Sequence, residues 1–267
     1  MRITFVGGGV MGEAMIRGIL DRGLAKVGDI VASDISEERC SYLNQKYGVA
    51  TVSDNRSAVE KAEVIVLAVK PVSLPEVMRG LKGFLQPEQV VLSIVAGVNV
   101  ASLCNSLDHK AVIRAMPNMP AQIGEGVSVW TAASEAKKEQ KQKTRSILLA
   151  LGKEIFALDE RYLDMATAVS GSGPAYVFLI IESLIDAAVH LGLPRELAQE
   201  LVLETVSGAT HLAQKWGKHP AELRNLVTSP GGTTAEGLLQ LEEGGLRALL
   251  AQAIIASYEK AKALGRG

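Results

Sequence analysis

The chain has 267 residues, of which 48% are hydrophobic and 21% are charged, and its formal net charge is −1. This length allows one large domain or two smaller ones with an ample core, and the balanced charge gives no sign of binding to nucleic acid or to an anionic membrane. Cys40 and Cys104 form no close pair, and the four histidines show no metal-ligand spacing, so we expect reduced cysteines, no metal and a cytoplasmic protein.

A short strand, a glycine-rich turn and a helix open the chain. Residues 3–6 are mostly apolar and β-branched, as expected of a buried strand, and they lead into a G-x-G-x-x-G sequence followed by apolar residues at helical spacing. Strand, turn and helix in this order form the dinucleotide-binding fingerprint, in which free N–H groups at the start of the helix hold a pyrophosphate. The predicted cofactor-binding residues here are Val6, Gly7, Gly8, Gly9, Val10, Met11 and Gly12.

The second predicted strand, residues 29–34, ends in an acidic residue. Asp34 lies 22 positions after Gly12, where a carboxylate commonly accepts hydrogen bonds from the adenosine ribose and so favours NAD over NADP. Asp34 could also be the N-cap of a helix beginning near Ser36, and the two roles are compatible.

Strands continue to alternate with helices up to about residue 158. This alternation predicts an α/β fold with a Rossmann-type, doubly wound and mainly parallel sheet in residues 1–158. We expect the loops after these strands to line the cofactor, with Pro117 and Pro120 holding Asn118 so that its amide is presented at the sheet edge. The predicted strands are 49–52, 63–69, 89–95, 111–116, 127–130 and 153–156, with helices over 54–62 and 135–151.

From Tyr162 onward the sequence shows only helical periodicity. A helix should begin at 170–174 with Pro174 near its first position, and its segment 175–181 is apolar on all sides, which predicts burial all round. Glu182 interrupts that segment, which is then too short to span a bilayer. An all-helical region of this kind, taken as residues 159–267, rarely folds alone, so we expect it to pack against a second subunit. Further helices are predicted over 194–216, 219–227, 235–241 and 246–264.

Residues 228–234 form a second glycine-rich turn before a helix. Their backbone N–H groups and the hydroxyls of Ser229, Thr233 and Thr234 could receive an anion, and the absence of Lys and Arg suits a small carboxylate better than a phosphate. The same residues could instead form an ordinary turn between helices with a threonine cap, and spacing alone does not decide between the two.

Five motifs together resemble those of pyrroline-5-carboxylate reductase, in the same order and over essentially the whole chain. The resemblance implies a Rossmann domain, an all-helical dimerisation domain and the NADPH- or NADH-dependent reduction of Δ1-pyrroline-5-carboxylate to L-proline. It also implies a homodimer, with a decamer of five dimers as the larger assembly. The balanced charge and the short apolar stretches predict no nucleic acid or membrane partner. The motifs are GGGVMG at 7–12, AVKP at 68–71, MPNMP at 116–120, SGSGPAY at 170–176 and TSPGGTT at 228–234.

The resemblance also implies roles for single residues. Asn55, the loop of Ala68, Val69, Lys70 and Pro71, and Ala96 would line the cofactor. Ser229, Gly232 and Thr233 would hold the substrate carboxylate, and Glu160 would lie near the substrate. Thr234 would contact the ring nitrogen, which makes it the predicted catalytic residue.

The chemistry requires no nucleophile, metal or strong base. A nicotinamide cofactor supplies the hydride, and a threonine hydroxyl is a sufficient hydrogen-bond partner for the imine nitrogen. One alternative is another Rossmann imine reductase or a 3-hydroxyacid reductase, but the latter class would place a lysine within residues 173–190, where none occurs. Another is a non-catalytic NAD(P) sensor, for which the turn at 228–234 would have no purpose. Asp34 opposes NADPH whereas the resemblance favours it, so we expect both cofactors to work.

Overall fold

The computed structural model describes residues 1–264. Within that range the chain divides into two compact units. The first comprises Met1–Ser172 together with the chain from Ser257 onward, and the second comprises Gly173–Ala256. The last three residues of the predicted helical region, 265–267, lie outside the described residues.

Eight short strands form a single sheet in the first unit. In chain order they are β1 (Ile3–Val6), β2 (Ile30–Ser33), β3 (Ala50–Val52), β4 (Val64–Leu67), β5 (Val90–Ser93), β6 (Val112–Met116), β7 (Gly126–Ala132) and β8 (Gly152–Phe156). Their order across the sheet is β3-β2-β1-β4-β5-β6-β7-β8, so strands are added first on one side of β1 and then on the other. This is the strand order of a doubly wound sheet, and the predicted fold class is confirmed.

One pair of neighbouring strands departs from the parallel arrangement. Strands β6 and β7 are antiparallel, with Ala115 opposite Trp130, whereas the other six pairs are parallel. The connection between them is only nine residues long and contains a 3-10 turn, Met119–Ile123. A connection this short can join antiparallel strands, but a parallel pair needs a longer crossover, usually a helix.

Helices cover both faces of the sheet. Because successive side chains of a strand point to opposite faces, Phe5 packs on one side of the sheet and Val6 on the other. The first face is covered by helices that supply Ile16, Leu43 and Ile147, and the second by helices that supply Leu74 and Leu103. The helices of this unit are α1 (Val10–Asp21), α2 (Glu37–Tyr47), α3 (Asn55–Val59), α4 (Leu74–Leu81), α5 (Val100–Leu107), α6 (Lys138–Leu149) and α7 (Arg161–Ala166).

A short helix and a π-helical turn come just before the helix predicted to start at 170–174. Helix α7 leads into a π-helical turn, Thr167–Gly171, in which the Ser172 N–H donates to the Thr167 carbonyl at 2.8 Å. Helix α8 (Gly173–His190) begins just after this turn with Pro174 as its second residue, so the expectation of a helix start at 170–174 is confirmed. A π-type turn is one of the local adjustments by which a helix accommodates a residue that lacks an N–H.

The second unit consists of helices. They are α8, α9 (Arg195–Trp216), α10 (Pro220–Leu226), α11 (Thr233–Glu243) and the first part of α12 (Leu246–Leu264). Pro194 is the N-cap of α9, as expected from its position in the sequence.

Most of the apolar surface of the second unit is exposed in the single chain. Phe178 is 55% exposed and Leu179 is 62% exposed, so the predicted burial of α8 on every side is not met within one chain. Among residues 173–256, only Ala198 is fully buried. By length and composition the helical run Arg161–His190 could also cross a membrane, contrary to the expectation drawn from the shorter stretch 175–181.

The exposed apolar surface of the second unit is also what an obligate subunit interface leaves uncovered in a lone chain.

Candidate active site

The loops after the parallel strands β1 to β6 lie along one edge of the sheet. The Ala68 N–H donates to the Val6 carbonyl and the Gly7 N–H donates to the Ser33 carbonyl, each at 2.8 Å, so the loops after β1, β2 and β4 are joined directly. Crevices at this edge, where the strand order reverses, are where nucleotides bind in such sheets. All of the predicted cofactor residues lie along it: Val6, Gly7, Gly8, Gly9, Val10, Met11, Gly12, Asp34, Asn55, Ala68, Val69, Lys70, Pro71, Ala96 and Asn118.

The glycine-rich turn has the shape that a dinucleotide requires. Gly7 has a φ of +99°, and a Cβ there would lie 2.7 Å from the carbonyl carbon and oxygen of Ala68. A Cβ on Gly12 would lie 2.6 Å from the Gly7 oxygen, whereas a Cβ on Gly9 would meet nothing within 4 Å. Among the described residues no side chain caps helix α1, which leaves the N–H groups of its first turn for an anion. These features fit the pyrophosphate of NADH or NADPH.

Asp34 is hydrogen-bonded to this turn. Its Oδ2 accepts a hydrogen bond from the Gly8 N–H at 2.8 Å, and its Oδ1 accepts one from the Ser36 N–H at 3.0 Å. Ser36 caps helix α2 by accepting from the Arg39 N–H, so the alternative in which Asp34 is the N-cap was wrong. Because each carboxylate oxygen can accept more than one hydrogen bond, Asp34 can still accept from a ribose hydroxyl.

Other residues at this edge are placed by contacts with neighbouring strands. Asn55 accepts a hydrogen bond from the Ser33 hydroxyl at 2.7 Å, which joins the end of β2 to the start of α3. Asn118 is buried and its Oδ1 accepts from the Val127 N–H at 2.9 Å, so the expectation that its amide is presented at the sheet edge was wrong. The short antiparallel β6–β7 connection turns that side chain inward. Lys70 is exposed and makes no ion pair within residues 1–264.

The first two arginines that follow Asp34 in sequence lie in different places. Arg56 donates to the Gly80 carbonyl at 2.9 Å and stacks over the Phe84 ring. Arg39 instead lies against the glycine-rich turn, where its Nε donates to the Gly8 carbonyl. Only Arg39 is therefore beside the predicted cofactor site, a distinction that sequence spacing could not make.

The turn at residues 228–234 belongs to the second unit. Gly231 has a φ of +65° and Gly232 is the N-cap of helix α11, where no side chain makes a capping hydrogen bond. The threonine cap considered from the sequence is therefore absent from this part of the described chain. Thr233 and Thr234 are the first two residues of α11, and within residues 1–264 the hydroxyls of Ser229, Thr233 and Thr234 form no hydrogen bond to the protein.

Glu160 lies in the first unit and its carboxylate is already engaged. Its Oε1 accepts from the Val100 N–H at 2.8 Å and from Arg114 Nη1 at 3.0 Å. Arg114 is buried in strand β6 and also donates to Asp164 at 2.6 Å. Sequence reasoning passed over Arg114, although a single cation inside an otherwise apolar strand indicates a buried partner.

Titratable groups elsewhere give no sign of a metal centre. Within the described part of the chain, no three His, Cys, Asp or Glu side chains are grouped so that they could hold a metal ion. His109 is buried with its Nε2 at 2.9 Å from the Gln89 carbonyl oxygen, and burial lowers the pKa of this imidazole.

Comparisons with known families match both parts of the chain. Residues 160–264 match the family model described as pyrroline-5-carboxylate reductase dimerisation, and residues 2–97 match the one described as NADP oxidoreductase, coenzyme F420-dependent. The predicted division into residues 1–158 and 159–267 stays a prediction, since the matched region begins near it while the compact units divide after Ser172.

Relatives that match along nearly their whole length are pyrroline-5-carboxylate reductases. The chain is 38% identical to a pyrroline-5-carboxylate reductase of Synechocystis sp. over 100% of its own length and 99% of the relative. It is similar to the structure of a pyrroline-5-carboxylate reductase from Coxiella burnetii, with a TM-score of 0.89, 37% identity and 98% of each chain covered. It is also similar to the Plasmodium falciparum pyrroline carboxylate reductase with NADP bound, with a TM-score of 0.92, 32% identity, and 99% and 98% of the two chains covered.

Proposed function

The chain belongs to the pyrroline-5-carboxylate reductase family, and we propose that one of its segments binds the cofactor and another binds the substrate. It is an NAD(P)H-dependent oxidoreductase that reduces the C=N bond of Δ1-pyrroline-5-carboxylate to L-proline, the last step of proline biosynthesis. In the proposal, the edge of the sheet around residues 7–12 holds the cofactor and the turn at 228–234 holds the substrate. The second assignment rests on the start of α11, which has no side-chain cap and lies beside three hydroxyls that form no hydrogen bond within residues 1–264.

The substrate carboxylate is held without a cation. Ser229 supplies a hydroxyl, and Gly232 and Thr233 supply backbone N–H groups at the positive end of the α11 dipole. A carboxylate needs two or three such donors, whereas a phosphate is usually met by Lys or Arg as well. The turn therefore selects a small monoanion, which fits pyrroline-5-carboxylate.

Thr234 is the proposed catalytic residue because its hydroxyl can accept a hydrogen bond from the protonated ring nitrogen. When bound, the reduced nicotinamide supplies the hydride for the imine carbon. The threonine fixes the orientation of the ring and stabilises the nitrogen in its changing charge state, and it does not need to ionise. The absence of a strong base in this turn is then expected.

The remaining site residues are assigned by position. Asn55, Ala68, Val69, Lys70, Pro71, Ala96 and Asn118 are proposed to line the cofactor. For Asn118 the contribution must come from its backbone and from shaping the loop, because its amide oxygen is bonded to Val127. Glu160 is proposed as a substrate-side residue that acts by holding Arg114, since its Oε1 is shared between that ion pair and the Val100 N–H.

The chain carries the dimerisation region of its family, so its subunits associate. We propose a homodimer in which the apolar surfaces of α8 and α12 are buried between subunits, with five dimers forming a decamer. The exposed apolar side chains of α8 support this assignment. The proposed location is the cytoplasm, with no nucleic acid or membrane partner.

The test is a reaction with purified protein, pyrroline-5-carboxylate and either NADPH or NADH, in which proline must form as the cofactor is oxidised. A reductase for a different substrate would leave pyrroline-5-carboxylate unchanged. Calorimetric titration with L-proline in the presence of NADP⁺ separates the remaining alternative, because a non-catalytic sensor should not bind proline.

A further inference from the structure

A cluster of charged and aromatic side chains lies against the glycine-rich turn. Glu13, in the first turn of α1, accepts hydrogen bonds from Tyr42 at 3.0 Å, Lys46 at 2.9 Å and Tyr47 at 2.8 Å. Its second oxygen pairs with Arg39. Arg39 also bonds the Gly8 carbonyl through Nε and the Gly9 carbonyl through Nη2.

The Glu13 carboxyl group is ionised at neutral pH. Burial raises the pKa of this carboxyl group, but the hydrogen bonds from Lys46, Arg39 and the two tyrosines outweigh burial and bring the pKa to about 2. The ionised Glu13 pairs with Arg39, and the two side chains are only 17% and 25% exposed. An ion pair at this depth is less screened by salt than one on the open surface.

Arg39 and Asp34 flank the same backbone group. A Cβ built on Gly8 would lie 3.5 Å from Asp34 Oδ2 and 3.6 Å from Arg39 Cγ. In Rossmann sheets the end of β2 is where the adenosine ribose lies, and an acid there accepts from the 2′-hydroxyl whereas a nearby arginine accommodates a 2′-phosphate. This chain carries both groups: Asp34 favours the 2′-hydroxyl of NADH, and Arg39 favours the 2′-phosphate of NADPH.

We propose that Glu13 sets the cofactor preference by holding Arg39 and neutralising its charge. In the native protein the 2′-phosphate of NADPH must compete with Glu13 for Arg39 and also face Asp34, which keeps NADH competitive. Glu13 is then a positioning residue that never touches the cofactor. The inference rests on the proposed function only in that the cofactor binds at residues 7–12.

The test is the direct binding of each reduced cofactor, followed by nicotinamide fluorescence without substrate. Glu13→Gln keeps the size and the hydrogen-bonding oxygen but removes the charge. The ratio of the dissociation constants for NADH and NADPH should rise about threefold to tenfold, and the gain should shrink at high salt. Arg39→Gln should move the ratio the other way, even though loss of its bonds to Gly8 and Gly9 weakens both cofactors.

Two further variants show whether a change in the ratio comes from Glu13 itself. Asp21→Asn removes a carboxylate from an exposed position of the same helix and should leave the ratio unchanged. Lys46→Met removes a competing cation from Glu13 at a side chain that is 47% exposed, and should shift the ratio towards NADH. If Glu13→Gln leaves the ratio unchanged, including the case in which both dissociation constants change by the same factor, this inference alone is overturned. Native protein that binds neither cofactor overturns the proposed function as well.

Discussion

The hydroxyl of Thr234 is the group on which the proposed chemistry depends most directly. Replacing Thr234 with Val keeps the branched shape and deletes only the hydroxyl. In the structure that hydroxyl has no protein partner within residues 1–264 and does not cap α11, so its removal leaves no protein group unsatisfied. We therefore expect the free energy of unfolding to stay within about 0.5 kcal/mol of the native value.

The substitution should instead lower the catalytic efficiency of the enzyme. Removing one partner of a buried hydrogen bond costs about 1–3 kcal/mol, and the ring nitrogen carries charge in the protonated imine and in the proline product. Loss of the bond should lower kcat/KM for pyrroline-5-carboxylate about 5- to 150-fold. Cofactor affinity should be nearly unchanged, because the cofactor is assigned to the glycine-rich turn of the first unit.

The assay compares steady-state kinetics, cofactor binding and urea unfolding of three variants with the native enzyme. Thr233→Val should be milder than Thr234→Val if Thr233 contributes mainly its backbone N–H. Thr210→Val is the matched control, since it removes an exposed hydroxyl that bonds the Val206 carbonyl within α9. A Thr234→Val enzyme with unaltered kcat/KM would refute the assignment of the hydroxyl to the substrate nitrogen.

Three further predictions test the cofactor site and the assembly. Asp34→Ser should shift the ratio of kcat/KM values towards NADPH, and an unchanged ratio would show that Asp34 does not read the ribose. Gly7→Ala should abolish cofactor binding, measured by fluorescence, because its Cβ would lie 2.7 Å from the Ala68 carbonyl at a φ of +99°; native affinity in this variant would contradict the fit of the turn. Sedimentation should show a dimer or larger assembly at micromolar concentration, and a stable, active monomer would exclude the proposed burial of α8 and α12.

Local sequence signals were sufficient for most elements of the first unit. The glycine-rich turn was predictable because Gly7, Gly9 and Gly12 each meet a different steric demand, and those demands are fixed by the strand-turn-helix order itself. The strands were predictable because apolar runs of four to five residues between turn signals leave few alternatives. These local signals therefore predicted the backbone structure of the cofactor site.

Side-chain partners from distant elements were not predictable. Asn118 is turned inward by a bond to Val127, and Glu160 is paired with Arg114, 46 positions away in sequence. Glu13 gathers partners 26 to 34 positions away on helix α2. Such contacts depend on how helices pack on the sheet, which a periodicity does not encode. The π-helical turn Thr167–Gly171 before α8 was not predicted because a π turn has no simple sequence signal.

The two halves of the proposed site differ in what holds them in shape. The cofactor turn sits on a sheet whose two faces are buried under helices of the same unit, so its geometry depends on that unit's own core. The substrate turn belongs to a unit in which, among residues 173–256, only Ala198 is fully buried. A helical array with so little internal burial needs a further apolar surface to offset the entropy of ordering its backbone. The family dimerisation region supplies a reason for that surface to be a second subunit. Substrate binding should then depend on subunit association, whereas cofactor binding should not.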